Sequence, residues 1–209
     1  MNKYIKYGLL LVVVVLVAYK SVYFEKLSTR KSNAALSFDA PGFSKKLWEE
    51  KMPAKMDSAI DLSQLITAID KESETAINKY TNALAIGNYR YVLVKLNATV
   101  MDVKEDEIIL SIKHKDSLFA VNMATEFIYG NAIRDASGLV QVKDFPNSAD
   151  LNGISEELNK IIRTTVLPAF KNSVKNGDNI NVVAAVELNK EHIHWNNIEL
   201  LPVRIQVAN

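Results

Sequence analysis

The sequence predicts an α+β fold behind a membrane segment. Three observations predict it: an uncharged apolar leader, a helical apolar period from Phe38 to Gly87, and a period of two from Tyr89 onward, interrupted once by a helix. Of 209 residues, 48% are hydrophobic and 23% charged, the composition of one globular domain with an added apolar element, which excludes disorder and a Pro/Gly linker architecture. The 25 Lys and Arg against 24 Asp and Glu leave a formal charge of +1, so no field draws the chain to nucleic acid. No cysteine occurs, which removes disulfides, thiol catalysis and thiolate metal sites.

The leader carries Lys3 and Lys6 and then runs without charge from Tyr7 to Tyr19. At about 1.5 Å per residue that core reaches only about 20 Å, short of the roughly 30 Å of bilayer hydrocarbon. With Lys6 and Lys20 snorkelling outward, Tyr4 to Phe24 becomes long enough to span, and Tyr4, Tyr7, Tyr19, Tyr23 and Phe24 fall near the two interfaces. A cleaved signal is the alternative, but no small residues stand at alternate positions after the core. The expectation is a retained transmembrane signal anchor over residues 1–24 and a polar tether over 25–37. Charge alone leaves the orientation open. Lys20, Lys26, Arg30 and Lys31 after the span outnumber the lysines before it, whereas a short charged N-terminus of this kind normally stays inside.

The folded unit is expected over residues 38–209. Asp39 caps a first helix with Pro41 in its first turn and Phe43, Leu47 and Trp48 on one stripe, and Pro53 ends or kinks it. Asp61, with Gln64 three residues on, caps a second helix with Leu62, Leu65, Ile66 and Ile69 on one face, and Ala76, Ile77, Tyr80 and Leu84 continue the period. Val92, Val94, Leu96, Ala98 and Val100 then share a strand face. After a turn at Lys104 to Asp106, Ile108, Leu110 and Ile112 make the hairpin partner, and Phe119 to Phe127 a third strand. Asn152 to Phe170 returns to helix, with Pro168 bending it late. Ile180 to Leu188 and Leu201 to Val207 alternate again, and Pro202 marks an edge or bulge. A helical cap and five strands around an inserted helix predict a curved antiparallel sheet or an OB-like, partly open barrel.

The region from Phe38 onward resembles an uncharacterised bacterial family of predicted periplasmic lipoproteins. The matching residues are Phe38-Asp39, Leu47-Trp48, Gly87-Asn88-Tyr89, Gly130 to Ala136, Asp144 to Asn147, Glu157-Leu158-Asn159 and Leu201 to Arg204. The resemblance implies an extracytoplasmic domain tethered to the bacterial inner membrane, beside sugar-type ABC transport systems, and it implies no reaction. The sequence departs from the lipoprotein pattern at Tyr19, where the lipidated cysteine would stand, so a spanning helix must do the tethering.

Candidate chemistry is sparse. His192 and His194 would share a strand face, with Glu191 or Glu199 to complete a zinc set, but no spacing fixes a third ligand and a hairpin loop is the expected place for them. Asp102, Glu105, Asp106 and Glu107 read as a solvated hairpin tip, lacking the alternating ligands and central glycine of a calcium loop. Trp48 falls on the apolar stripe, and Trp195 in its loop is more open to a surface role. Gly130 to Gly138 lacks both phosphate-loop patterns, so structure comes first there; should a ligand groove exist, Arg134, Asp135, Asp144 and Asn147 are its candidates. No nucleophile or metal signature is present.

The function expected from these readings is a membrane-anchored, non-catalytic accessory or binding module in the periplasm. It needs no cofactor, and its partner is an ABC transporter component or a small solute. The alternatives are a metal-dependent envelope hydrolase using His192 and His194, and a purely structural envelope protein.

Overall fold

The computed structural model describes residues 3–21, 38–83, 87–145 and 147–208. It divides into two units, Met1–Phe38 and Asp39–Asn209. The first holds one helix, α1 (Lys3–Ser21), with its side chains exposed from Lys3 to Lys20. Among the described residues no helix is long and apolar enough to cross a membrane. The expected span to Phe24 is therefore not shown, and its end at Val22 to Phe24 lies outside the described residues, as does the 25–37 tether.

In the second unit, α2 (Ala40–Lys46) is capped by Asp39, whose carboxylate accepts from Gly42 N at 3.0 Å. A π-turn (Leu47–Lys51) leads into α3 (Met52–Asp57). Pro53 does not end the helix. A proline cannot donate to the carbonyl four residues back and its ring clashes with it, and the wider turn just upstream makes room. The same device recurs at Pro168. There α7 (Ser148–Ile161) passes through a π-turn (Ile162–Val166) into α8 (Leu167–Lys171). Asn147 caps α7 through Asp150 N at 2.9 Å, so that helix starts before the expected Asn152.

The sheet is mixed and six-stranded, which corrects the expected five antiparallel strands. Its strands are β1 (Ile60–Asp61), β2 (Tyr89–Val103), β3 (Glu107–His114), β4 (Ser117–Ala124), β5 (Asn179–Asn189) and β6 (Glu199–Val207). The order β1-β2-β3-β4-β6-β5, with β2 also paired to β5, closes the last five into a barrel. Two pairings are parallel. The β1–β2 pair is one, and the other is the seam of Asn122 with Glu199 and Met123 with Leu200. Helix α7, between β4 and β5, is the expected insertion.

Between β1 and β2 lie α4 (Leu62–Lys71), capped by Asp61 on Gln64 N at 3.1 Å, and α5 (Ser73–Tyr80). Leu84 lies outside the described residues. β4 ends at Ala124, so Thr125 leaves the strand and Phe127 is exposed. The chain departs there because it must cross to the short buried helix α6 (Ala132–Ser137).

The barrel core is what the period of two dictates. Val92, Val94, Leu96, Leu110, Met123, Val182 and Val186 form one cluster, with Leu65 and Ile66 of α4 and Phe170 of α8 against it. Each such side chain contributes about 1.5–3 kcal/mol by leaving water. The last strand breaks the pattern, because a bulge opposite Val183 and Ala184 shifts the register between Pro202 and Arg204. Leu200 and Ile205 consequently both reach the barrel core, while Leu201 and Val203 are buried outside that cluster. On the outer face, Leu93, Val183 and Ala185 are also buried, and α6 packs on β2 and β5. Helices α2 and α7 pack on each other beside it.

Candidate functional site

Every residue of α6 is buried, including Arg134, Asp135 and Ser137. A helix enclosed in this way must satisfy each polar group internally. Gly138 ends it at φ 63°, in the left-handed region that favours glycine, and a side chain there would also strike Asn82. Ser137 Oγ donates to Arg134 O at 2.6 Å and accepts from Leu139 N at 3.1 Å. Asn82 Nδ2 donates to Ala136 O at 3.1 Å.

Arg134 and Asp135 form a two-pronged pair, Nε to Oδ1 at 2.7 Å and Nη2 to Oδ2 at 3.1 Å. Arg134 Nη1 donates to Leu151 O of α7 at 2.9 Å, and Asn131 Nδ2 donates to Asp135 Oδ2 at 2.5 Å. Asn131 also lies beside the Tyr91 phenol. Burial pushes that phenol above its usual pKa, Asn131 pulls it back, and Glu187 raises it again. The network thus joins α6 to β2 and α7.

Beside it opens a cleft of about 500 Å³ between the 129–131 loop, α6 and α7. Helix α7 supplies Asn152, Ser155, Glu156 and Asn159 and the π-turn after it Arg163, a polar stripe next to the apolar stripe of Leu151, Ile154, Leu158 and, in the π-turn, Ile162. Gly130, at φ 76°, turns its carbonyl to Asn159 Nδ2, which donates at 2.8 Å. Arg163 Nη1 donates to Ile128 O, and its guanidinium lies 5.0 Å from the Tyr129 ring centroid. Asn159 is 3% exposed, and its Oδ1 is buried with no hydrogen-bond partner. An acceptor in that position costs stability until something donates to it.

Of the four residues expected in a groove, Arg134 lines this cleft and Asp135 holds it from behind. Asp135 lines a second opening of about 360 Å³ with Asn82 and Lys143. Asp144 is exposed in a 3-10 turn (Val142–Asp144), and Asn147 is spent as the α7 cap. The structure does not bring those two into the cleft. Ser155, Asn159 and Arg163 went unrecognised, although the buried pair four residues apart on a helix was a readable signal.

Other candidates resolve differently. His192 and His194 are exposed in the loop between β5 and β6, and no group of three metal-capable side chains occurs among the described residues. Glu107 pairs with Lys104 at 2.6 Å at the hairpin tip. Trp48 is half-buried in its π-turn, and Trp195 packs against the barrel core. Ser63 Oγ lies 2.6 Å from His114 Nδ1, a contact between α4 and β3 that no sequence spacing signalled. His114 Nε2 is buried without a hydrogen-bond partner, so no third group orients the pair as a nucleophile and base require. A further opening of about 560 Å³ lies on the barrel's outer face around Met101 and Leu118, and no buried polar side chain lines it.

A family model described as predicted periplasmic lipoprotein (DUF2291) matches residues 12–206. Among solved structures, an OB-fold protein from Thermotoga maritima matches with a TM-score of 0.72 and 23% identity, covering 82% of this chain and 99% of its own. That likeness shows the OB fold. Two others align far less well: a Schizosaccharomyces pombe Stn1–Ten1 complex (TM-score 0.25, 9% identity, 57% of this chain and 58% of its own) and an OBody bound to hen egg-white lysozyme (TM-score 0.26, 11% identity, 57% and 93%). No curated protein matches the chain.

Proposed function

We propose a function from the premise that this chain belongs to the DUF2291 family of predicted periplasmic lipoproteins: an extracytoplasmic OB module, held at the inner membrane by its N-terminal helix, that binds a small solute without catalysis. Family membership supports the extracytoplasmic side. The chain has no cysteine to carry the lipid that the family description names. Helix α1 is exposed along its length and uncharged from Tyr7 to Tyr19, so it is the element available to tether. Its completion into a span rests on residues up to Phe24. The partner in this reading is a component of an ABC transport system, the setting that the family resemblance implies.

The observation that carries the reading is the α6–α7 cleft, whose floor keeps Arg134, Ser155 and Asn159 buried and leaves Asn159 Oδ1 without a donor. Native mass spectrometry of the full chain extracted from its own membranes tests it. A retained small molecule that disappears on Ser155→Phe, which plugs the cleft, is the expected result. Retention unaffected by Ser155→Phe, or no retained molecule in either protein, would overturn the reading.

A further inference from the structure

We infer that the α6–α7 cleft takes a small monocarboxylate, held by the guanidinium of Arg163; the inference rests on that cleft being the binding site, as proposed above. Arg163 sits in the π-turn after α7 and lines the cleft half-buried. Two contacts fix its plane. Nη1 donates to Ile128 O, and the guanidinium lies over the Tyr129 ring, 5.0 Å from its centroid. The opposite edge is open. Nε and Nη2 donate to no described residue, and neither is among the buried, partnerless polar atoms of the described residues, so water reaches both. Two N–H groups side by side on a planar fork match the two oxygens of a carboxylate. Because Ile128 and Tyr129 already hold the fork, little side-chain freedom is left to lose when an anion takes that edge.

Charge points the same way. Arg134, the other cation of the cleft, is committed to Asp135 through both carboxylate oxygens. Among the described residues no carboxylate pairs with Arg163. Glu156 also lines the cleft, but it stands exposed seven residues earlier, about 10 Å along the helix axis, where salt screens it. A half-buried guanidinium has given up part of its hydration, so an anion that pairs with it gains more than at an exposed site. A cationic ligand would meet Arg163 directly, and a neutral one would leave its charge uncompensated. One uncompensated cation balances one negative charge, which favours a monocarboxylate over a phosphate dianion. A volume of about 500 Å³ leaves room for a ring-sized body behind the carboxylate.

Calorimetric titration of the full chain in detergent micelles tests the class. The probes are acetate, L-lactate and benzoate as monocarboxylates, inorganic phosphate as a second anion, D-glucose as a neutral solute and putrescine as a cation. The expected result is that a monocarboxylate binds more tightly than every other probe, with an affinity that falls as salt is raised. Arg163→Gln should weaken that binding roughly ten- to a hundredfold, and Arg163→Lys, which keeps the charge but loses the fork, should recover only part of it. Should the Arg163 variants not fold, two exposed positions carry the test: Asn152→Asp should weaken binding several-fold and Glu156→Gln should tighten it. Leu118→Ser, on the barrel's outer face, leaves it unchanged. A probe of another class that binds as tightly as the best monocarboxylate overturns the class while the binding-module reading stands, since that reading fails separately, on the retained molecule. Binding of no probe overturns the class too, and carboxylate binding indifferent to the Arg163, Asn152 and Glu156 substitutions removes it from this cleft.

Discussion

Inside the barrel, Val94, Leu110 and Ala184 are fully buried and bring no polar atom beyond the backbone, which the strand ladders satisfy. On the α6–α7 face, Arg134, Asp135 and Asn159 are buried almost as deeply, yet each needs a specific partner at a specific angle. The two regions are stabilised on different terms. The barrel gains by excluding water and tolerates any apolar side chain of the right volume, whereas the helical face offsets desolvation with directed bonds and fails when one partner goes.

The largest expected effect follows from that contrast. Arg134→Met strands Asp135 as a buried charge and should lower the unfolding free energy by about 3–5 kcal/mol, measured by urea titration. Adding Asp135→Leu to it should restore much of the loss. A double variant no more stable than the single one would break the comparison. In the barrel, Leu110→Ala should cost about 2–5 kcal/mol with no such rescue available, because the loss is transfer free energy plus a cavity. Next, Asp61→Ala removes the α4 cap and should cost about 0.5–2 kcal/mol, visible as a lower Tm.

The smallest effect is a pH dependence on the barrel's rim. Partial burial, then the charges of Glu107 and Glu187, raise the Glu199 carboxyl above its usual value of 4.5. The folded state therefore disfavours its ionised form, a penalty that is full above the raised pKa and is relieved as pH falls through it. Glu199→Gln should raise Tm slightly at pH 7, with the gain vanishing below the ordinary carboxyl range. A gain that persists unchanged into acid would show that charge is not its cause.

The same contrast explains what could be read from the residues. Val92 to Val100 and Ile180 to Leu188 announced their strands because a half-buried strand writes its environment as alternation, and Asp39 and Asp61 announced helix starts because a cap is a local bond. The parallel seam of β4 with β6 was not readable, being two residue pairs between segments far apart in the chain. The bulge in the last strand was readable at Pro202, and the structure places the register shift between Pro202 and Arg204. Pro53 and Pro168 were read as points where a helix ends or bends, and neither ends it because a π-turn upstream accommodates each. Within the cleft, Arg134 was identified from its motif, but Asp144 and Asn147 were grouped with it by closeness in sequence, whereas Ser155 and Asn159 reach it from the next helix turns.

The central claim is that this OB module uses its helical face, not its barrel, to bind. A crystal structure of the full chain, extracted from its own membranes with whatever solute it retains, tests it most directly: a ligand seated between the 129–131 loop, α6 and α7 is the predicted result, and a ligand seated instead on the barrel around Met101 and Leu118 would contradict it.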